Sequence, residues 1–214
     1  PFDHQRQVKL HVPSGMPSPK NTQEFIPAAA AQIRRFVELT HGKAFVLFTS
    51  YLMMQDMAAE LADFFAEKGI ALFVQGEGLP RSAMLQRFRE DVDSVIFGTA
   101  SFWTGVDVPG DALRNVIIVR LPFAVPDHPL TQARQETIET KGGNAFWQYS
   151  LPEAVLRFRQ GCGRLIRSRE DEGIIVVLDS RVLTARYGRT FIDSLPPCPV
   201  ITDQRSSASN RPDQ

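Results

Sequence analysis

Residues 160–179 read QGCGRLIRSREDEGIIVVLD, an arginine-rich polar stretch that runs directly into the apolar run IIVVL. That run is strand-sized, rich in Ile and Val and apolar on both faces, which is typical of a central strand of a parallel sheet. The residues before it are expected to form a helix end and a loop that leads into the sheet. The charges of this loop are either solvated or part of a site, and the rest of the sequence bears on that choice.

Four more apolar runs of the same kind recur along the chain, with helical patterns between them. One helix is expected from Ser50, a good N-cap residue, to Gly69, a good C-terminal residue. A second fits Arg81 to Glu90, and a third begins near Pro152, which suits a first helical turn. Strands that alternate with helices predict an α/β fold with a central, mostly parallel sheet flanked by helices. The four runs are AFVLFT (residues 44–49), IALFVQ (70–75), SVIFGT (94–99) and NVIIVRL (115–121).

Length and composition favour a single globular domain, since 43% of the 214 residues are hydrophobic and 22% are charged. No apolar run approaches the roughly 18 residues of a membrane span, and the first residues lack a signal-peptide pattern. We therefore expect a cytoplasmic location, no membrane contact and a start inside a longer protein. Residues 1–20, with four prolines, are expected to be an extended lead-in, residues 21–200 the domain, and residues 201–214 a disordered tail.

Positive charge is unevenly distributed, although the formal net charge is zero. Of the 24 basic residues, 19 are arginine, and eight of these lie between Arg157 and Arg189. Arginine is the residue favoured for planar, bidentate contacts with phosphate. The local excess therefore says more about ligands than the total charge does.

A helix that continues through the opening stretch would place three of its polar side chains, Gln160, Arg164 and Arg167, at i, i+4 and i+7 on one face. The glycines at 161 and 163 would leave that face open to a ligand. Two permanently charged guanidinium groups about one turn apart suit a triphosphate, because they can stabilise charge on transferred phosphoryl oxygens. The alternative is that the arginines lie in solvent and pair with the acidic residues at 170–172.

A second polar segment, GTASFWTGVDVPG at residues 98–110, starts at the expected carboxyl end of a strand, where open α/β sheets bind ligands. Gly105 allows close backbone approach, and Asp107 can accept a hydrogen bond from a ribose hydroxyl or orient an arginine. Phe102 and Trp103 either stack on nucleic-acid bases or pack beneath the loop.

Two further loops follow strands in the same layer. FTSY, residues 48–51, opens a helix, so its hydroxyls and amides suit a phosphate backbone, or Ser50 simply caps the helix. Gln75 and Gly76 end the second strand. We expect these loops, residues 98–110 and the arginine-rich stretch to share one edge of the sheet.

These segments together resemble those of the DinG/XPD-type superfamily 2 DNA helicases. QGCGRLIRSREDEG is similar to motif VI of that group, QxxGRxxR continued by RxxDxG, while SFWTGVDVPG and LFTSY resemble motifs V and IV. The match covers about residues 1–200, and the form of motif V favours the DinG branch. The resemblance implies a RecA-like three-layer fold that serves as the second motor domain of an ATP-dependent helicase, moving 5′ to 3′ on single-stranded DNA.

The resemblance also implies roles for individual residues. Arg164 and Arg167 would reach the γ-phosphate of ATP, and Gln160 would position the nucleotide or those arginines. Gly105 and Asp107 would couple ATP to DNA, and Gly163 would lie beside the nucleotide. The family usually has Glu just before the motif V glycine, whereas this chain has Thr104. DNA contacts would come from Thr49, Ser50, Tyr51, Gln75, Gly76, Ser101, Phe102 and Trp103.

The other parts of an ATPase site are absent from the sequence. There is no GxxxxGK[ST] loop, and HGKAF has Ala44 where Mg²⁺ requires Ser or Thr. Cys162 and Cys198 lack zinc-site spacing, are expected to be free thiols, and cannot supply the four-cysteine iron–sulfur site of many family members. We therefore expect ATP and Mg²⁺ to bind jointly with an N-terminal RecA-like domain of the same polypeptide, and this chain alone to be inactive.

Two other functions remain open. A binding module on the same fold would hold nucleic acid or protein without hydrolysing ATP, and Thr104 favours this alternative. A nucleotide-sugar or small-molecule transferase is disfavoured, because no set of catalytic acid, base and nucleophile is evident.

Overall fold

Seven short strands form one sheet within the residues that the computed structural model describes, namely 4–91, 93–106, 108, 112–124, 129–165 and 172–203. The strands are β1 (Val8–His11), β2 (Ala44–Leu47), β3 (Ala71–Val74), β4 (Ser94–Gly98), β5 (Asn115–Ile118), β6 (Gly173–Val177) and β7 (Val200–Ile201). Across the sheet they lie in the order β3-β4-β2-β5-β6-β1-β7, and each neighbouring pair is parallel. The five strands expected from the apolar runs are confirmed.

Helices connect the strands, as parallel pairing requires. They are α1 (His4–Gln7), α2 (Thr22–Thr40), α3 (Tyr51–Lys68), α4 (Arg81–Glu90), α5 (Ala100–Trp103), α6 (Pro129–Thr140), α7 (Leu151–Cys162), α8 (Arg181–Thr184) and α9 (Gly188–Asp193). A π-helical turn, Phe146–Ser150, directly precedes α7.

The sheet is covered on both faces, because successive side chains of a strand point to opposite sides. Phe45 and Leu47 of β2 belong to a core that includes residues of α4, α5, α7 and α9. Ala44 and Val46 of the same strand belong to a second core, formed with α2 and α3. The expected α/β fold with three layers is thereby confirmed.

The predicted start and end of α3 are also confirmed. The Ser50 side chain accepts a hydrogen bond from the Met53 amide at 3.2 Å, which satisfies one of the free N–H groups of the first turn. Gly69 ends the helix in the left-handed region with φ 63°, a conformation that glycine adopts without a steric cost. Pro152 lies in the first turn of α7, as expected.

The two ends of the chain contribute more to the fold than the sequence suggested. Residues 8–11 of the expected lead-in form β1, which pairs with β6 on one side and β7 on the other. Leu10 and Val12 are buried there. Ile201 of the expected tail lies in β7, whereas residues 204–214 lie outside the described residues. None of the described helices is long and apolar enough to cross a membrane.

Candidate functional site

A cleft of about 640 Å³ lies between the turn that follows α5 and the carboxyl end of α7. The structure therefore brings together four of the residues that the sequence assigned to a nucleotide, although they are about 60 positions apart in the chain. Gln160 faces the cleft from the last turn of α7, and Gly163 and Arg164 face it from the turn that follows the helix. Gly105 faces the cleft from the opposite segment. The lining residues are Thr104, Gly105, Val106, Leu156, Arg159, Gln160, Gly163 and Arg164.

Arg164 is the most unusual residue of this cleft, because its guanidinium is buried without a counter-ion among the described residues. The residue is only 6% exposed, and its Nη1 donates a hydrogen bond to the backbone carbonyl of Phe102. Its Nη2 has no hydrogen-bond partner in the part of the chain that the structure describes. Burial, and next the positive charge of Arg81, lower the pKa of Arg164 from its ordinary value to about 10. The side chain stays charged at neutral pH, so an anion in the cleft would stabilise it.

The helical arrangement proposed for the three polar side chains is wrong in one respect. Helix α7 ends at Cys162, and the Gly163 amide donates to the Arg159 carbonyl at 2.8 Å in the final turn. Gly163 has ψ 1°, so the chain leaves the helix there and Arg164 does not continue the face of Gln160. The two side chains meet at the cleft through the turn instead. Arg167 lies outside the described residues, as does Asp107 of the opposite segment.

Only one of the two glycines near the end of α7 lies where the sequence predicted it. Gly163 is exposed in the cleft wall, as expected. Gly161 is buried, and a Cβ added to it would lie 2.8 Å from Cε3 of Trp103 and 3.2 Å from Cδ1 of Leu47. Its small size therefore permits α7 to pack closely on α5, and it does not open a surface to a ligand.

Phe102 and Trp103 belong to the core, so the assignment of these two rings to DNA stacking is corrected in favour of packing beneath the loop. Phe102 is fully buried and Trp103 is 3% exposed. The indole Nε1 of Trp103 donates to the Phe48 carbonyl at 3.0 Å, which fixes the end of α5 against the end of β2. Ser101, between the expected strand end and these rings, is exposed.

The loops that follow β2, β3 and β4 are joined by side-chain hydrogen bonds at the carboxyl edge of the sheet. The Tyr51 hydroxyl donates to the Gln75 carbonyl at 3.1 Å. Gln75 Oε1 accepts from the Thr99 amide at 2.7 Å and from the Thr99 hydroxyl at 3.0 Å. Gly76 has φ 89°, and an added Cβ would collide with the Tyr51 hydroxyl. Three of the residues expected to contact DNA, Tyr51, Gln75 and Gly76, thus lie in one connected edge, and Thr49 and Ser50 precede Tyr51 directly.

The arginine-rich stretch does not share that edge, contrary to expectation. Its described part, residues 160–165, ends α7 and leads towards the amino end of β6, where Leu165 packs against Gly173. It reaches the turn after α5 across the face of the sheet. The cleft therefore lies mainly in the helical layer, and the segment after β4, residues 99–105, connects it to the loops after β2 and β3 at the carboxyl edge.

Several residues with a clear structural role near the cleft were not singled out by the sequence. Arg159 and Leu156 line it one turn apart on α7, and their helical spacing was the available signal. Arg81 donates to the Thr104 carbonyl at 3.0 Å from the start of α4, and no sequence pattern indicates that contact. Outside the cleft lining, Asp179 and Arg181 fit the pattern DxR that the same helicase family shows after this strand; the buried Asp179 forms an ion pair with Arg181, 2.6 Å from Oδ2 to Nη2, and accepts the Leu121 amide at 2.9 Å.

The described lining of the cleft fits a triphosphate better than it fits a metal ion. Arg159 and Arg164 supply positive charge, Gln160 supplies an amide, and the buried Nη2 of Arg164 lacks a partner within the described residues. Among the described residues that line the cleft, none carries a carboxylate, and carboxylates are the side chains that most often hold Mg²⁺. Mg²⁺ ligands would have to come from elsewhere.

Comparison with known proteins identifies the family of this chain. Residues 33–198 match the profile of a family described as "Helicase C-terminal domain". The chain is 43% identical over 213 residues to the "3'-5' exonuclease DinG" of Bacillus subtilis (strain 168), covering 97% of this chain and 23% of that protein. It is 41% identical over 203 residues to the "ATP-dependent DNA helicase YoaA" of Escherichia coli (strain K12), covering 95% of this chain and 31% of that protein.

Solved structures show the same fold at lower identity. A structure titled "XPD_APO" superposes with a TM-score of 0.71 at 15% identity, covering 92% of this chain and 40% of that chain. The structure titled "Mss116p DEAD-box helicase domain 2 bound to an RNA duplex" superposes with a TM-score of 0.56 at 14% identity, covering 94% of this chain and 65% of that chain.

The central sheet and its two helical layers thus form a RecA-like fold, and the cleft is lined by residues of the two segments that resemble motifs V and VI. The chain belongs to the helicase C-terminal domain family, in its DinG/XPD-type form. It spans 23% and 31% of the length of the two curated relatives described above.

Proposed function

We propose that this chain is the second motor domain of an ATP-dependent DNA helicase, which supplies the arginines that act on the γ-phosphate. The observation that carries the proposal is the buried guanidinium of Arg164, which faces a cleft of about 640 Å³ with one nitrogen unpartnered among the described residues. A triphosphate held by a facing domain would neutralise that charge. ATP supplies the phosphoryl group that is transferred to water.

The geometry suits stabilisation of the transition state more than general binding. The Phe102 carbonyl holds Nη1 of Arg164, so that the guanidinium is oriented before ATP arrives. Charge develops on the phosphoryl oxygens during transfer, and a fixed cation then interacts more strongly than in the ground state. Gln160 lines the same cleft, where it can hold the nucleotide, and Arg167 would be the second cation.

Single-stranded DNA is the proposed partner of the other surface. The connected carboxyl-edge loops present Tyr51, Gly76 and Ser101 at the protein surface, with Thr49, Ser50 and Gln75 half-buried beside them. Hydroxyl, amide and backbone N–H groups are typical phosphate-contacting groups, and they carry no base specificity. The two relatives described above, an ATP-dependent DNA helicase and a 3′-5′ exonuclease, support a nucleic-acid substrate, and the helicase supports DNA. The 5′ to 3′ direction follows from the family resemblance.

The proposal assigns this chain half of the ATPase site. Its sequence has no GxxxxGK[ST] loop, and the described cleft offers a triphosphate only the polar side chains of Arg159, Gln160, Arg164 and Thr104. We therefore expect the 214-residue chain alone to show no DNA-stimulated ATP turnover, and the full-length protein to show it. Steady phosphate release by the purified chain, measured with and without single-stranded DNA, would refute the half-site proposal.

The alternative, a binding module that does not hydrolyse ATP, gives no reason for a buried arginine at the cleft that lacks a counter-ion among the described residues. It predicts a full-length protein that binds DNA with the same affinity with and without ATP. DNA affinity measured with ADP, with a non-hydrolysable ATP analogue and without nucleotide separates the two functions, because a motor changes its affinity during the cycle.

A further inference from the structure

Arg81, the first residue of α4, contacts the cleft wall although it does not line the cleft. Its Nη2 donates to the Thr104 carbonyl at 3.0 Å, and its Cζ lies 5.6 Å from the centroid of the Phe102 ring. A Cβ placed on Gly105 would be 3.7 Å from the same Nη2. Arg81 therefore packs along the whole turn from Phe102 to Gly105.

Two arginines from different elements thus hold one short turn. Arg164 donates to the carbonyl of Phe102, and Arg81 donates to the carbonyl two residues later. Both acceptors are neutral, so the two positive charges are not cancelled by these contacts. The proximity of Arg81 also contributes to lowering the pKa of Arg164.

The position of Arg81 is electrostatically unfavourable for α4. The amino end of a helix carries a partial positive charge, where acidic side chains are stabilising and basic ones are not. The first turn of α4 contains no acidic residue, and its N-cap is Pro80, which makes no side-chain cap. Residues that break such a local rule are found most often where a functional geometry requires them.

The segment from Gln75 to Arg81 contacts both ends of the stretch between β4 and the cleft. Gln75 Oε1 accepts from the Thr99 amide at the start of that stretch. Arg81 binds the Thr104 carbonyl at its end. A displacement of the loop after β3, which belongs to the proposed DNA surface, would therefore be transmitted to the turn that anchors Arg164.

We propose that Arg81 is a positioning residue, which fixes the Thr104–Gly105 wall of the cleft and links it to the DNA-side loop after β3. It acts through the turn, and it does not touch the nucleotide. The inference rests on the proposed function, since it assumes that Arg164 acts on ATP.

The test is the steady-state ATP hydrolysis of the full-length protein with saturating single-stranded DNA. Arg81→Ala should lower kcat about tenfold and change KM for ATP less than about twofold, because a loosened turn misplaces a group that acts in the transition state. Arg81→Gln keeps a donor for the Thr104 carbonyl without the charge, and it should restore kcat to within about threefold of wild type. A Gln variant as slow as the Ala variant would contradict the positioning role.

Arg87→Ala is the matched control, since it removes the same charge from an exposed position on the same helix. It should retain wild-type kcat, and the thermal midpoints of all variants should agree within about 2 °C, so that a stability effect does not explain the loss. A wild-type kcat in Arg81→Ala, or an equal loss in Arg87→Ala, would overturn this inference alone. A wild-type protein without DNA-stimulated turnover would overturn the proposed function and this inference with it.

Discussion

At the scale of single residues, the buried charge of Arg164 lowers the stability of the fold, whereas the proposed function requires that charge. A cation that is 94% buried and has one nitrogen without a partner in the described chain is costly for the fold. Because its folded pKa of about 10 lies below the ordinary pKa of an arginine, the folded state holds this proton less tightly than the unfolded chain does. The penalty is therefore fully present at neutral pH, and it is relieved only as the pH rises above about 10.

Replacing Arg164 by Met should consequently stabilise the chain. Met fills a similar volume without a charge, and exchange of buried ionic groups for apolar ones is neutral or stabilising by about 1–4 kcal/mol. We expect the free energy of unfolding at pH 7 to rise by about 1 kcal/mol, since the lost hydrogen bond to Phe102 offsets part of the gain. Urea denaturation measures this difference, and a loss of stability would show that the guanidinium contributes to folding.

At the scale of elements, the cleft depends on close packing of α7 against α5. Gly161 places the α7 backbone against the Trp103 ring, and Trp103 is fixed in turn by its hydrogen bond to the Phe48 carbonyl. The turn that carries Gly105 follows Trp103 directly. The width of the cleft is therefore set by a contact beneath it.

Gly161→Ala should disturb that contact. Alanine gains up to about 1 kcal/mol of helix propensity over glycine, but its Cβ would lie 2.8 Å from the Trp103 ring. Overpacking of this kind costs about 1–3 kcal/mol, so we expect a net loss of stability. In the double variant Gly161→Ala, Trp103→Phe, the smaller ring should remove most of that loss relative to Trp103→Phe alone. Strictly additive changes in the unfolding free energy would contradict the packing role.

The elements that the sequence predicted are those specified by local chemistry. Five strands are apolar on both faces, and α3 is delimited by the Ser50 cap and the left-handed Gly69. The four-residue strand β1 was missed, because prolines surround it and its place in the sheet is set by pairing with β6 and β7. The end of α7 at Cys162 was missed too, since a helical period alone does not mark where the chain turns.

The candidate site could be predicted in part for the same reason. Residue types and spacing indicated Gln160, Gly163, Arg164 and Gly105, which meet at one cleft. The burial of Phe102 and Trp103, and the contact from Arg81, depend on tertiary packing that no short pattern encodes.

At the scale of the whole molecule, the chain presents two distinct surfaces. The cleft of Arg164 lies in the helical layer, and the loops of Tyr51 and Gln75 lie at the carboxyl edge of the sheet. Residues 99–105 connect them, beginning at Thr99 beside Gln75 and ending at Gly105 in the cleft wall. Under the proposed function, DNA bound at the carboxyl-edge loops would shift a nucleotide contact in the cleft through this segment.

The most direct test of this account is a paired measurement on the full-length Arg164→Met protein with single-stranded DNA, namely the single-turnover rate of ATP hydrolysis and the equilibrium Kd for ATP. We predict that the rate falls by about a thousandfold or more, as for other arginine fingers, and that Kd rises less than about tenfold. Hydrolysis at the wild-type rate, or an equal loss of binding and hydrolysis, would contradict the claim that this buried cation acts on the γ-phosphate.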